Sequence, residues 1–339
     1  MKKAGKVPTF IFPKQYDMQP NFEKYLLEIT HSKSYQETET IQSLWSGYGK
    51  IARYALTGGL EKQVVIKHID LRQADAHPRG WNTNRSHLRK VKSYQVETSW
   101  YSCYADRCNT SCKIPRLIGS YKEGQEQWII LEDLNQQFPK RLNTVHLEQI
   151  KACLNWLAHF HAEFLGEEPK ELWSVGTYWH LATRPDELDE MEDGLLKSKA
   201  AQIDQLLNQC TYKTLVHGDA KLANFCFSED GSKVAAVDFQ YIGQGCGIKD
   251  VMYFLSSCLS GKECTALEEE LLDYYFSTLK TASQEQLEAS EFQELETEWR
   301  RLYCFAWADF VRFLLGWMPT HYKLHHYSLG QVDKVLKLL

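Results

Sequence analysis

The chain has 339 residues, of which 43% are hydrophobic and 24% charged, with 9 Pro and 19 Gly. That is the composition of a globular protein of two ordinary domains or one two-lobed one, and it excludes a long disordered or collagen-like chain. A formal net charge of -5 argues against a broad nucleic-acid-binding face. The basic start MKKAGKVPTFIF lacks the apolar core of a secretory signal, and no bilayer-length apolar run follows. The expectation is a cytoplasmic protein, without membrane or nucleic-acid partners, whose 10 cysteines stay reduced.

Lys50–Leu56 (KIARYAL) and Gln63–Ile69 (QVVIKHI) are short β-branched or alternating runs on either side of Gly58-Gly59, which predicts an antiparallel hairpin. After the polar stretch AHPRGWNTNRSH, the segment LRKVKSYQVETSWYSCYA scatters Val91, Tyr94, Val96, Tyr101 and Tyr104 without strand alternation and predicts a helix. A second hairpin is predicted around Gly124 in RLIGSYKEGQEQWIILEDL. Cys103, Cys108 and Cys112 are separated by four and three residues with no fourth ligand nearby. Structural zinc sites use paired Cys-x2-Cys units, so packing is the favoured reading of these three.

From about residue 135 the period becomes helical. HLEQIKACLNWLAHFHAEFLG sets Leu147, Ile150, Leu154, Leu157, Phe160 and Phe164 at steps of three and four, ending at Gly166. GIKDVMYFLSSCLSG, ALEEELLDYYFSTLKTA and WRRLYCFAWADFVRFLLGW carry the same spacing, and the Glu-rich run SQEQLEASEFQELETEW reads as a solvated helix face. The change of period divides the chain into residues 1–134, a strand-rich N-lobe, and 135–339, a mainly helical C-lobe.

The chemistry concentrates in LVHGDAKLANF, Leu215–Phe225. Asp219 and Asn224 are five residues apart, which suits a loop folding back on itself better than a helical turn. VAAVDFQ then sets Asp238 at the end of an apolar, strand-like run. Two acids and an amide at the ends of short strands make an oxygen-only donor set, of the sparse kind Mg2+ takes when phosphate oxygens and water complete its shell.

HGDAKLAN (residues 217–224) followed by VDFQ (residues 237–240) resembles the catalytic loop and metal motif of the aminoglycoside phosphotransferase and choline kinase family, relatives of the protein kinases. YQVETSWY, EDL and WADFVRFLLGW resemble most its ecdysteroid-kinase-like branch. The resemblance implies a two-lobed α+β, protein-kinase-like fold, with a small antiparallel-sheet N-lobe, a larger and mostly helical C-lobe, and ATP with Mg2+ between them. It implies that Asp219 orients an acceptor hydroxyl and takes its proton, and that Asn224 and Asp238 bind the metal. Lys221 would touch the γ-phosphate or be a solvated loop lysine. Lys67 of VVIK would neutralise the α- and β-phosphates, held by Glu97, while Gly47 and Gly49 of SGYG would let backbone N–H groups approach phosphate. Leu131, Glu132 and Asp133 of WIILEDL would turn backbone groups to the adenine. Each element alone is weak; their order along residues 46–250 carries the resemblance. His217 is expected to support the loop by hydrogen bonding, and Asp250 to cap a helix or tie the loop down.

Eleven residues separate Asp238 from Asp250, Gln240 stands where a protein kinase has Gly, and no Ala-Pro-Glu follows. There is no room for an activation segment that docks a protein, so the expected reaction transfers the γ-phosphoryl group of a nucleoside triphosphate to a hydroxyl of a small organic substrate. Tyr178, His180 and Arg184, with Trp307, Asp309, Arg312 and Trp317, are the candidate acceptor residues. Their aromatics would either box a cationic head group or simply pack, whereas Arg184 and Arg312 would suit an acidic or phosphate-bearing acceptor. The alternative is a catalytically silent nucleotide-binding or scaffolding protein of the same fold. It is disfavoured because Lys67, Asp219, Asn224 and Asp238 are all present.

Overall fold

One antiparallel sheet is built from β1 (Ser34–Ser43), β2 (Gly49–Thr57), β3 (Gln63–Asp70), β4 (Leu117–Glu123) and β5 (Glu126–Glu132), in the order β1-β2-β3-β5-β4. The structure is a computed structural model and describes residues 19–44, 47–72 and 84–339. The basic N-terminal stretch, Trp45 and Ser46 ahead of the glycine pair, and most of the polar stretch before residue 84 lie outside the described residues. Both expected hairpins are present, β2 with β3 and β4 with β5, and Gly124 takes a φ of 60° at the second turn.

The period of two sorts the sheet residues between two cores. Ala52, Tyr54, Leu56, Val64, Ile66, Trp128 and Ile130 face Phe22 and Leu26 of helix α1 (Pro20–Ile29). On the opposite face Ile69, Ile129 and Leu131 join Tyr94, Trp100 and Tyr101 of helix α2 (Asn84–Cys103) in the main core. Lys67, next to Ile66 in β3 and paired with Ile129, therefore points to the α2 side.

Two elements of this lobe go beyond the sequence reading. Helix α1 buries only Phe22 and Leu26, one turn apart, so its apolar stripe is narrow. Strand β1, SYQETETIQS, is exposed along nearly its whole length, so no alternation marks it as a strand. It is a charged edge strand, which resists pairing with other chains.

The rest is mainly helical: α3 (Leu147–Glu163), α4 (Pro185–Asp189), α5 (Leu195–Asn208), α6 (Ile248–Cys258), α7 (Gly261–Ala282), α8 (Ala289–Trp317) and α9 (His326–Leu338). The fold is the expected α+β, protein-kinase-like arrangement of an antiparallel-sheet lobe and a larger helical lobe. Helix α8 runs 29 residues and fuses the Glu-rich run with the aromatic run that follows. It buries Phe292, Leu295 and Trp299 while the glutamates between them stay toward water. Among the described residues no helix is long and apolar enough to cross a membrane.

Two short ladders interrupt the helices. β6 (Thr214–Val216) pairs with β9 (Gly243–Gly245), and β7 (Phe225–Phe227) pairs with β8 (Val234–Ala236). The Val237 N–H donates to the Asn224 carbonyl at 3.0 Å, which sets the segment leaving β8 beside the loop between β6 and β7.

Candidate active site

The loop between β6 and β7 carries Asp219, Lys221 and Asn224, and it is held from below by one buried acid. Asp250 on α6 accepts the backbone N–H of His217 at 2.5 Å and of Gly218 at 3.0 Å, and its Oδ2 lies 3.2 Å from His161 Nε2. His161 Nδ1 lies 2.8 Å from the Tyr275 hydroxyl, so both ring nitrogens have partners. His217 ties the loop to the β8 side: its Nε2–H donates to the Val237 carbonyl at 3.0 Å, while Nδ1 accepts from the Asp219 N–H at 3.3 Å. Gly218 has a φ of 79°, and a Cβ there would lie 2.1 Å from the Tyr241 carbonyl oxygen. Only glycine fits that turn.

The loop folds back as its spacing suggested. Asn224 Nδ2 donates to the Asp219 carbonyl at 2.8 Å and to its Oδ2 at 3.2 Å, and Lys221 Nζ reaches the same Oδ2 at 2.8 Å. Burial would lower the Lys221 ammonium, but Asp219 beside it raises it above its ordinary value. Asp219 thus has a cationic neighbour within hydrogen-bond reach.

The second cluster joins the lobes. Lys67 Nζ lies 2.5 Å from Glu97 Oε2 and 3.4 Å from Asp238 Oδ1. Burial opposes the Lys67 charge, and the two carboxylates overcome it, raising the ammonium above its ordinary value. Asp238 follows β8 with a φ of 72°, left-handed backbone that a non-glycine residue adopts only under strain, and its side chain is 34% exposed. Burial works to raise its carboxyl, but Lys67, Lys221 and Lys90 together hold it down at about 2. Gln240 bridges further, donating to Asp238 Oδ1 at 2.8 Å and accepting from Lys90 Nζ on α2 at 2.9 Å.

Gly47 and Gly49 lie at the turn from β1 into β2 with φ of 72° and 128°. A Cβ on Gly49 would lie 2.1 Å from the His68 carbonyl, so the close approach of β3 already requires glycine there. Leu131 is buried in β5. The Glu132 and Asp133 side chains are engaged: Glu132 with Lys113 at 2.7 Å, and Asp133 with Arg53 at 2.6 Å and with the Asn135 N–H at 3.0 Å. The Glu132 N–H donates to the Arg116 carbonyl at 2.9 Å.

The acceptor candidates separate into two groups. Tyr178 adjoins the catalytic loop: its N–H donates to the Gly218 carbonyl at 3.1 Å, and its ring meets Tyr253 of α6 edge-on at 5.5 Å. Arg184 donates to the Tyr178 carbonyl and to Glu187, both at 2.8 Å, and Trp317 stacks on Phe313 with centroids 5.7 Å apart. The others have internal contacts. His180 lies 3.3 Å from Asp204 of α5, Trp307 is fully buried against Tyr327, and Asp309 pairs with Arg312 at 2.6 Å in the interior, where Arg312 also donates to the Trp179 carbonyl. For Trp307 the contacts are those of core packing rather than of a box.

Two residues near Asp219 escaped the sequence reading. Burial pushes the Tyr253 hydroxyl up, and Tyr178 and Asp219 nearby add to the shift. Lys323, between α8 and α9, is buried with its Nζ 3.1 Å from Ser256 Oγ. A signal for the first was available: Asp250, Tyr253, Ser256 and Ser257 recur at helical steps on one side of an otherwise apolar helix. Nothing local marks Lys323. Cys112 is buried, Cys108 half-buried and Cys103 exposed, and among the described residues no group of three or more His, Cys, Asp or Glu could hold a metal ion.

The family model described as "Uncharacterized oxidoreductase dhs-27", an ecdysteroid-kinase-like family, matches residues 186–317, less than half of the chain. No curated protein matches. Similar solved structures are small-molecule kinases. A microcompartment-associated aminopropanol kinase is 14% identical over 92% of this chain and 93% of its own, with a TM-score of 0.48. An aminoglycoside-3'-phosphotransferase of type VIII is 12% identical over 83% of this chain and 100% of its own, with a TM-score of 0.42. An aminoglycoside phosphotransferase from Streptomyces rimosus, solved with ADP and streptomycin, is 13% identical over 84% of this chain and 97% of its own, also with a TM-score of 0.42. At these values the roles of the site residues rest on this chain's own geometry.

Proposed function

We propose that the protein is a small-molecule kinase that transfers the γ-phosphoryl group of ATP to a hydroxyl of a small organic acceptor. The observation that carries this reading is the convergence of Lys67, Glu97 and Asp238 in one ion-paired cluster, joined to the Asp219–Asn224 loop by the Val237–Asn224 backbone hydrogen bond. In this reading residues 1–134 and 135–339 form the two lobes, and the chain belongs to the ecdysteroid-kinase-like branch of its relatives.

Asp219 holds the acceptor hydroxyl and accepts its proton as the oxygen attacks the γ-phosphorus. The new O–P bond forms as the bridging P–O bond breaks, and that bond's electrons leave with ADP. Lys67, kept charged and oriented by Glu97, neutralises the α- and β-phosphates. Lys221 stands beside Asp219 to meet the γ-phosphate. Backbone groups around Gly47 and Gly49 would approach the phosphates, and those at Leu131–Asp133 that the sheet leaves unused would meet the adenine, the Glu132 N–H already being taken by the Arg116 carbonyl.

Asn224 and Asp238 fit Mg2+. Asn224 commits its Nδ2 to Asp219, leaving Oδ1 as the donor, and Asp238 is an ionised, partly exposed carboxylate. Two hard oxygen donors beside a nucleotide are the supply that this ion takes. When bound, it would neutralise developing charge on the phosphates. ATP consumption with magnesium, across amino alcohols, sugars, aminoglycosides and hydroxylated lipophiles, tests the reading against Asp219→Ala. Acceptor-dependent turnover that the variant loses is expected; ATP binding without turnover for every acceptor would favour the silent nucleotide-binding alternative.

A further inference from the structure

We infer that Lys323 is the acceptor-recognition residue of this site and that the acceptor carries an anionic group, a carboxylate or a phosphate, rather than a cationic one. This rests on the kinase reading above and adds the chemical class of its substrate.

One side of α6 organises the floor of the site. Asp250 takes the His217 and Gly218 amides, Ser257 Oγ accepts the Leu222 N–H at 2.8 Å, and Tyr253 lies near enough for Asp219 to act on its hydroxyl. Between these contacts, Ser256 Oγ accepts from Lys323. The Lys323 ammonium lies over the Tyr253 ring at 4.6 Å and the Phe310 ring at 5.3 Å, and the residue is 6% exposed. It is thus a buried cation on the side of α6 that holds the catalytic loop, close enough for Asp219 to act on its charge, and reached by a segment far along the chain.

An ammonium has three N–H donors, and among the described residues this one makes a single hydrogen bond and no ion pair. A buried charge held by one neutral hydroxyl and two ring faces is poorly compensated, and an apolar side chain of equal length would pack there at lower cost. Burial lowers the Lys323 ammonium to about 8, with Asp219 opposing the shift. Such a residue is accounted for if a ligand oxygen completes its shell. The Tyr253 and Phe310 faces already hold the protein's own ammonium, so these two rings are closed to a cationic head group.

The test measures Mg2+-dependent ATP consumption by the full chain and by Lys323→Met. The acceptors are glycerate and lactate, glycerol 3-phosphate, neutral glycerol and lactamide, and cationic choline and ethanolamine; ADP-Mg affinity and thermal midpoint are measured alongside. Turnover is expected with the carboxylate or the phosphate arm, and whichever arm responds identifies the anionic group. Lys323→Met should raise KM for that acceptor at least tenfold, keep ADP-Mg affinity within twofold and leave the midpoint equal or higher. Turnover confined to neutral or cationic acceptors overturns the inference, as does an anionic acceptor whose KM the variant leaves unmoved. Absence of turnover with every anionic compound, in protein that binds ADP-Mg, also overturns it while the nucleotide reading stands. Failure to bind ADP-Mg removes the kinase reading itself, and this inference with it.

Discussion

Lys67 on β3 and Glu97 on α2 are 30 residues apart in the chain, yet their charged atoms lie 2.5 Å apart with both side chains almost wholly buried. The contact couples the sheet to the helix that packs on it. Removing Glu97 leaves the buried Lys67 only its longer 3.4 Å contact to Asp238, so Glu97→Ala should cost about 3 kcal/mol of stability, the low end for a broken buried pair. It should also raise KM for ATP, because Lys67 loses the group that orients it. Chemical denaturation and ATP kinetics on the same preparation check the two effects.

On the proposed mechanism, Asp219→Asn removes the proton acceptor with the least change to the loop. Turnover should fall about 10²-fold or more, in the range of a lost general base, while ADP binding stays intact. Parallel nucleotide titration and single-turnover measurements check this.

Asp238 gives a pH signature. Its folded carboxyl is held at about 2 against an ordinary 3.8, so the unfolded chain binds the proton more tightly. The stabilisation is therefore complete above about pH 3.8 and is lost as pH falls through about 2. Acid unfolding of the intact protein should be steeper over that window than that of Asp238→Asn. Denaturant midpoints at a series of pH values measure the difference.

Asp250 is fully buried and satisfies two backbone N–H groups and one imidazole. Asp250→Ala orphans all three and should cost about 3 kcal/mol or more, since each unmet buried donor costs about 1–3 kcal/mol. Activity should fall together with stability, because His217 and Gly218 lead directly into Asp219. Thermal unfolding and turnover of the variant check both.

Lys323 predicts the opposite sign of pH dependence from a paired lysine. Its folded ammonium is depressed to about 8 from 10.5, so the charged form destabilises the fold, and stability contributed at this site rises as pH climbs between those values. The groups that act on it are Asp219, Lys221, Cys258 and Cys264. The stability advantage of Lys323→Met over the intact protein should shrink across that interval, as paired denaturation curves would show.

Much of this protein was legible in one dimension because its signals are local. Both N-lobe hairpins follow from short alternating runs around glycine turns, and the loop closing Asn224 onto Asp219 follows from a five-residue spacing. The edge strand β1 was not legible, since a strand exposed on both faces has no buried alternation to display. Trp307, Asp309 and Arg312 share helical spacing on α8, and only the folded chain shows that Trp307 packs on Tyr327 and that Asp309 pairs with Arg312 in the interior. The clearest case is Lys323: its partner Ser256 lies 67 residues away, and its burial depends on how the α8–α9 connection crosses α6. Sequence periodicity decides which way a side chain faces on its own element. Which element it then meets is decided by tertiary packing, and in this chain that packing buries the Lys323 ammonium against Ser256 of α6.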